Sequence, residues 1–189
     1  SKSASQIEVK VPTGTISGKL TFSVLNSTIT SQSAQELTST VVTEGLNFPI
    51  YEDGMNSNWN GWVGGGWGGT KDIDNTSPVK RGTKSVRVNY VGNWGVPFQL
   101  GGANISLASY TKLKVSIYGG AGSNGKKVNI GINENDGVTV TVVEGAWTEF
   151  TVKISDLGNP AKLTAIYVKE YSNAPGDYTI YLDDLGLNY

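Results

Sequence analysis

The sequence predicts an all-β protein, and three observations carry that expectation. Glycine makes up 25 of 189 residues, well above its ordinary share of about 7%. Val, Ile, Thr and Tyr fill the apolar runs, in place of the Ala, Leu, Glu and Lys that long helices favour. Short strand-like runs recur along the chain with turn residues between them and no helical period, the pattern of a sandwich or barrel.

Taken in order, Ile7, Val9 and Val11 alternate with polar neighbours until Pro12-Thr13-Gly14 ends the run. Gly18 opens a second run in which Leu20, Phe22 and Val24 alternate. Residues 26–43 are almost wholly Ser, Thr, Asn and Gln, with room for one helical turn at 34–37, and read as a linker. The chain therefore divides into 1–45, two strands plus linker, and 46–189, the right size for one jelly-roll β-sandwich. Its strands are expected at 46–52, 83–91, 95–100, 111–118, 126–133, 138–143, 147–154, 163–171 and 177–188. Turn chemistry separates them at Gly122-Ser123-Asn124-Gly125, Asn135-Asp136-Gly137, Asn159-Pro160 and Pro175-Gly176-Asp177.

The period of two assigns faces. Val86, Val88 and Tyr90 point one way, so Arg87 and Asn89 point the other. Val128, Ile130 and Ile132 point inward, leaving Asn129, Gly131 and Asn133 outward. Ile166 and Val168 point inward, leaving Tyr167, Lys169 and Tyr171 outward. Amides, aromatics and isolated cations make an unusual solvent face.

Composition excludes several functions. Charged residues are 16% of the chain and the net charge is −1, so no basic field exists to hold a nucleic acid backbone. No run approaches eighteen apolar residues, so no transmembrane segment is expected. Cysteine and histidine are both absent, which removes disulfides, thiolate metal sites, thiol nucleophiles and the usual histidine base. The polar opening Ser1-Lys2-Ser3-Ala4-Ser5 carries no apolar leader and reads as a processed fragment, and the cysteine-free composition suits a bacterial exported protein.

The most distinctive stretch runs from Asn56 to Thr70, where Trp59, Trp62 and Trp67 sit among asparagines and glycines. Glycines deny it a core of its own, so its indoles either plug an end of the sandwich or stand exposed as a contact surface. Trp94 lies on a tight turn, Gly92-Asn93-Trp94-Gly95, while Trp147 opens a strand and reads as core. Sugars need this combination: a pyranose stacks its C–H face on an aromatic ring, and its hydroxyls pair with amides and cations. A neutral polysaccharide needs no strong field, which fits the charge balance. A second constellation joins the ends of the sandwich, Tyr51-Glu52-Asp53-Gly54 in the first strand and Tyr181-Leu182-Asp183-Asp184-Leu185 in the last. With no His or Cys to hand, a metal there would be Ca²⁺ on oxygen ligands; the alternative is carboxylates on a solvated edge. Glu134 and Asp136 are an acid pair at a hairpin tip, where acids are ordinary. Gly64-Gly65-Gly66 lacks the Lys-Ser/Thr and the helix of a phosphate loop.

Tyr51-Glu52-Asp53-Gly54 with Trp59 after it, then Gly82-Thr83-Lys84-Ser85-Val86-Arg87-Val88, Trp94-Gly95 and Tyr178-Thr179-Ile180-Tyr181-Leu182-Asp183-Asp184-Leu185, resembles the galactose-binding-like jelly-roll carbohydrate-binding modules over about 46–189. The resemblance implies a non-catalytic sandwich that grips polysaccharide on a concave sheet or at loop tips. It also implies a structural Ca²⁺ near the first and last strands, here on Glu52 and on Asp183 or its neighbour Asp184. Ile7-Glu8-Val9-Lys10-Val11-Pro12-Thr13-Gly14 with Ser17-Gly18-Lys19-Leu20-Thr21-Phe22 is similar to the closing hairpin of an IPT/TIG immunoglobulin-like domain. The pair implies part of a larger multidomain glycan-binding protein on the outer surface of a bacterium, facing plant-type glucan or a related glycan.

Three classes of function follow: a polysaccharide-binding module, a structural or adhesive sandwich that turns its Trp loop to protein, and a β-sandwich glycosidase or lyase. The first is the expectation, with no catalytic residues. Its surface is expected to hold Trp59, Trp62, Trp67 and Trp94, with Asn89, Asn129, Asn133, Tyr167 and Lys169 as polar contacts, centred on the 126–133 and 163–171 strands.

Overall fold

The computed structural model describes residues 45–135, 137–173 and 176–189, together with two short strands, β1 (Thr21–Ser23) and β2 (Thr30–Gln32). The chain forms two compact units, Ser1–Gly45 and Leu46–Tyr189. In the first, β1 and β2 pair antiparallel, with Thr21 opposite Gln32 and Ser23 opposite Thr30. β2 lies within the stretch read as a linker; threonine is a strand former, and backbone pairing needs no apolar side chains. The strand expected around Ile7–Val11 lies outside the described residues, and so does most of the IPT/TIG-like segment.

The second unit continues with β3 (Phe48–Tyr51), β4 (Trp62–Gly64), β5 (Gly69–Asn75), β6 (Ser85–Tyr90), β7 (Gln99–Ser106), β8 (Lys112–Gly119), β9 (Lys127–Ile132), β10 (Val138–Thr141), β11 (Trp147–Lys153), β12 (Lys162–Glu170) and β13 (Tyr178–Asn188). A single 3-10 turn, Ile154–Leu157, separates β11 from β12. The strands form two sheets. A front sheet has the order β10-β9-β12-β7-β4; a back sheet has the order β11-β8-β13-β6-β5, with β3 beside β13. This is the predicted all-β jelly-roll sandwich.

Alternation builds the core. Leu100, Ile130, Ile132, Ile166 and Val168 of the front sheet are fully buried, as are Val88, Leu113, Ile180 and Leu187 of the back sheet. Tyr90 ties the two sheets: from β6 its hydroxyl donates to the carbonyl of Val168 on β12 at 2.8 Å, in a fully buried bond. Burial holds its phenol well above the usual tyrosine range, so it stays a donor. Trp147 is half-buried on the outer side of the back sheet, its ring 5.5 Å from that of Tyr118, and not in the core.

Glycine hides three boundaries. The 95–100 expectation shifts to Gln99–Ser106, because Gly101-Gly102 looks like a break yet forms a bulge inside the strand, with Gly102 at φ +73°. β4 and β5 flank the glycine run and carry too few apolar residues to show a period. A Cβ at Gly61 would lie 2.7 Å from the Ala103 nitrogen; glycine lets this segment run against β7.

The acids at the meeting of first and last strands face nitrogen. Asp183 is fully buried; its Oδ2 accepts from the amides of Lys80 and Arg81 at 3.0 and 3.1 Å, and its Oδ1 from the amide of Asp184 at 2.8 Å. Burial nevertheless pushes its carboxyl above the usual range. Asp184 pairs with Lys80 at 3.3 Å and Arg81 at 3.2 Å, and Glu52 pairs with Arg81 at 3.6 Å. Calcium takes six to eight oxygen ligands. Here the carboxylate oxygens already serve amides and two side-chain cations, and no group of three or more acids among the described residues could hold an ion. The donor set does not fit the calcium expectation at Glu52 and Asp183, since Lys80 and Arg81 supply the positive charge.

Two outcomes follow from these contacts. Tyr90→Phe should lower stability by about 1 kcal/mol in urea denaturation with the strand content unchanged, since one buried bond between sheets is lost. Chelator or added Ca²⁺ should leave the melting temperature where it is, while Lys80→Met should lower stability by on the order of 2 kcal/mol. A melting temperature that falls in chelator and returns with Ca²⁺ would contradict the cation assignment.

Candidate functional site

The outer face of the front sheet is set by register. One row holds Trp62, Gly101 and Ala165, on β4, β7 and β12. The next holds Gly64, Gln99, Tyr167 and Gly131, the last on β9. The third holds Lys169, Asn129 and Thr139, the last on β10. Aromatic, glycine and amide therefore meet across five strands.

Two rings lie flat on this face. Trp62 covers Gly101 so closely that a Cβ there would fall inside the indole, and a Cβ at Gly64 or Gly102 would come within 2.8 or 2.9 Å of it. Its other side is open, and the residue is 52% exposed. Tyr167 lies across Gly131 in the same way, a Cβ at Gly131 falling inside its ring, and its hydroxyl donates to the carbonyl of Asn135. The Trp62 ring rests over β7 and the Tyr167 ring over β9. Two strand spacings separate them, about 10 Å across the sheet.

Beside the Tyr167 ring lies a cleft of about 210 Å³ lined by Val96, Gln99, Asn129, Asn133, Tyr167, Lys169 and Tyr171. Asn129 is 4% exposed; its Nδ2 donates to Thr139 Oγ1 at 3.3 Å, while its Oδ1 has no hydrogen-bond partner among the described residues. Asn133 is at φ +54° and spends its side chain on the backbone: Oδ1 accepts from the amides of Thr164 and Ala165 at 2.7 and 3.2 Å, and Nδ2 donates to the carbonyl of Lys162. The Lys169 ammonium stands 5.2 Å over the Trp94 ring, and Trp94 meets Tyr171 edge-on at 4.9 Å. Trp94 is 37% exposed.

The structure brings together Trp62, Asn129, Asn133, Tyr167, Lys169 and Trp94. Trp67 is near them, 58% exposed on the loop after β4, where its carbonyl accepts from Val96 at 2.8 Å. Trp59 and Asn89 are elsewhere. Trp59 is 6% exposed and packs in the core beneath β4, its Nε1 donating to the carbonyl of Trp62 at 3.3 Å. Asn89 lies on the back sheet, where its Nδ2 donates to Thr70 Oγ1 at 3.0 Å and its Oδ1 accepts from Thr179 Oγ1 at 2.8 Å. Gln99 and Val96 line the cleft without having been singled out in the sequence, and Tyr171, read there as outward, lines it too without having been placed in the expected site. For Gln99 the signal was there, since it sits between Phe98 and Leu100, both fully buried.

No protein-family model matches the sequence, and no curated protein matches it. Solved structures do. The family 30 carbohydrate-binding module of the cellulosomal cellulase Cel9D-Cel44B of Clostridium thermocellum is similar with a TM-score of 0.51 and 19% identity, over 75% of this chain and 96% of that one. An exo-β-agarase is similar with a TM-score of 0.54 and 10% identity, over 76% of this chain but only 24% of the agarase. At these identities the likeness establishes the β-sandwich fold. The functional reading rests on the face itself.

Proposed function

We propose that this protein is a non-catalytic polysaccharide-binding module whose glycan lies across the front sheet, against Trp62 and Tyr167. One observation carries the reading: Trp62 lies flat on a floor of glycines with its outer side turned to solvent. An exposed indole held in one orientation offers a stacking surface for the C–H face of a pyranose, without the entropy of ordering a free side chain on binding. Two platforms about 10 Å apart suit a chain crossing the strands, touching each with pyranoses about two units apart. Gln99 lies between them, and Asn129 and Lys169 in the row beyond Tyr167 add an acceptor and a donor for hydroxyls. The similarity of the fold to a carbohydrate-binding module supports the reading, as does the near-zero net charge. Plant-type glucans and related neutral glycans are the ligand class.

The absence of catalysis is part of the proposal. Glycoside hydrolysis uses two carboxyls about 5 to 9.5 Å apart across the sugar. The cleft residues are amides, aromatics, a valine and Lys169. The Tyr167 hydroxyl donates a hydrogen bond to the Asn135 carbonyl, and Lys169 sits over an indole, so neither is arranged as the base of a lyase. The proposal extends to an exported protein of the bacterial surface with further modules, for which the IPT/TIG-like resemblance and the lack of cysteine are the support. No helix among the described residues is long and apolar enough to cross a membrane.

Affinity electrophoresis across glucans, xylans, mannans and pectins tests the reading. Retention is expected on at least one neutral polysaccharide, with a loss of roughly tenfold or more in Trp62→Ala and in Tyr167→Ala. Gly101→Ala should lose as much as Trp62→Ala while melting within a few degrees of wild type, because its methyl group displaces the indole from its floor. No new reducing ends and no unsaturated products should form on any bound glycan. Unchanged retention in all three variants would place binding elsewhere.

A further inference from the structure

One buried charge lies directly behind the glycan face. Glu170 ends β12 with its side chain on the inner side of the sheet, and it is fully buried. A buried carboxylate is costly unless its oxygens are satisfied. Here Oε2 accepts from the amide of Trp94 at 2.9 Å and Oε1 from the amide of Ser172 at 2.6 Å. A third bond joins the same segments, the Glu170 amide donating to the carbonyl of Gly95 at 2.9 Å. The turn so held is one the chain does not adopt freely: Trp94 has φ +65°, a left-handed conformation that bulky residues rarely take. The Trp94 ring then supports the Lys169 ammonium from below and meets Tyr171 at its edge, and both of these residues line the cleft.

We propose that Glu170 is a positioning residue: its buried carboxylate fixes the turn at Trp94, and Trp94 fixes the Lys169 ammonium at the cleft. A fully apolar side chain at this position would fill the same space without the cost of a buried charge, but it would leave two amides without acceptors and the turn without an anchor. Glu170 never touches the ligand. The geometric half of the proposal is independent of what binds; its consequence for affinity rests on the polysaccharide-binding reading.

Glu170→Gln in the full chain tests both halves. Glutamine keeps the size but sets an NH₂ group against one of the two amides. In ¹⁵N-labelled protein the Trp94 indole resonance, assigned by its loss in Trp94→Phe, should move in Glu170→Gln together with the Ser172 amide, while the Trp59 and Trp62 indoles stay in place. An unmoved Trp94 indole overturns the proposal. Affinity is then read on whichever polysaccharide the wild-type protein retains. Glu170→Gln should weaken it roughly tenfold in the wild-type background and less than about twofold in Trp94→Ala, since the effect passes through that ring. An equal loss in both backgrounds marks a general structural role and overturns it, as does no loss in either. If the Gln variant does not fold, Glu170→Asp, which keeps the charge and withdraws it by one methylene, serves the same comparison. If the wild-type protein retains no polysaccharide at all, the functional reading fails and the resonance measurement alone decides whether Glu170 fixes the turn at Trp94.

Discussion

A ring can lie flat on a pleated sheet only where the neighbouring strand presents no side chain. The front face meets that constraint twice, with Trp62 over Gly101 and Tyr167 over Gly131. Glycine within a strand costs about 0.5–1 kcal/mol against alanine, and an indole half exposed to water forgoes much of its burial energy. The fully buried Leu100, Ile130, Ile132, Ile166 and Val168 on the other side of the same sheet offset both. The strands alternate between a dense aliphatic side that holds the fold and a sparse outer side that holds rings in place.

Loops are fixed by one recurring device. A carboxylate or carboxamide accepts from two successive or nearby backbone amides. Asp183 takes Lys80 and Arg81, Asp53 takes Thr83 and Lys84 at 2.6 and 2.7 Å, Glu170 takes Trp94 and Ser172, and Asn133 takes Thr164 and Ala165. The amides beside Asp53 hold its carboxyl below the usual range. A chain without cysteine or histidine cannot staple its loops with disulfides or zinc. Charge-assisted bonds to the backbone do the same work and need only one side chain per loop.

Much of this architecture was legible in the sequence, and the limits have physical causes. Period two placed Val128, Ile130 and Ile132 inside and put Tyr167 and Lys169 out, because aliphatic and polar residues alternate cleanly there. It gave no guide at the tryptophans: Trp59 and Trp62 lie in one glycine-rich run with no period, and only tertiary packing decides that the first is core and the second a platform. Asn89 carries the same outward signal as Asn129, yet the two stand on opposite sheets, since alternation assigns a face without saying which sheet owns it. What the calcium expectation lacked has a related cause. Glu52 and Asp183 do converge as the resemblance implied, but Lys80 and Arg81 come from a loop that no pattern ties to them. Glu170 was invisible as anything other than a charged residue ending a strand.

The spacing of the two platforms bears on what kind of ligand such a face can hold. A single stacked sugar on an exposed ring is a weak contact, and freezing a free monosaccharide there costs translational and rotational freedom. A chain bound at Trp62 already carries its further units across β7 and β12 toward Tyr167, so the second contact forms at high effective concentration. The shared row of Gly64, Gln99, Tyr167 and Gly131 keeps the path between the rings low, with Gln99 as its one long side chain on β7. The same openness leaves nothing to enclose a short sugar. On the proposed reading an extended, neutral polymer is therefore what this surface would select, through the length of the ligand and the fixed attitude of two rings more than through any enclosing pocket.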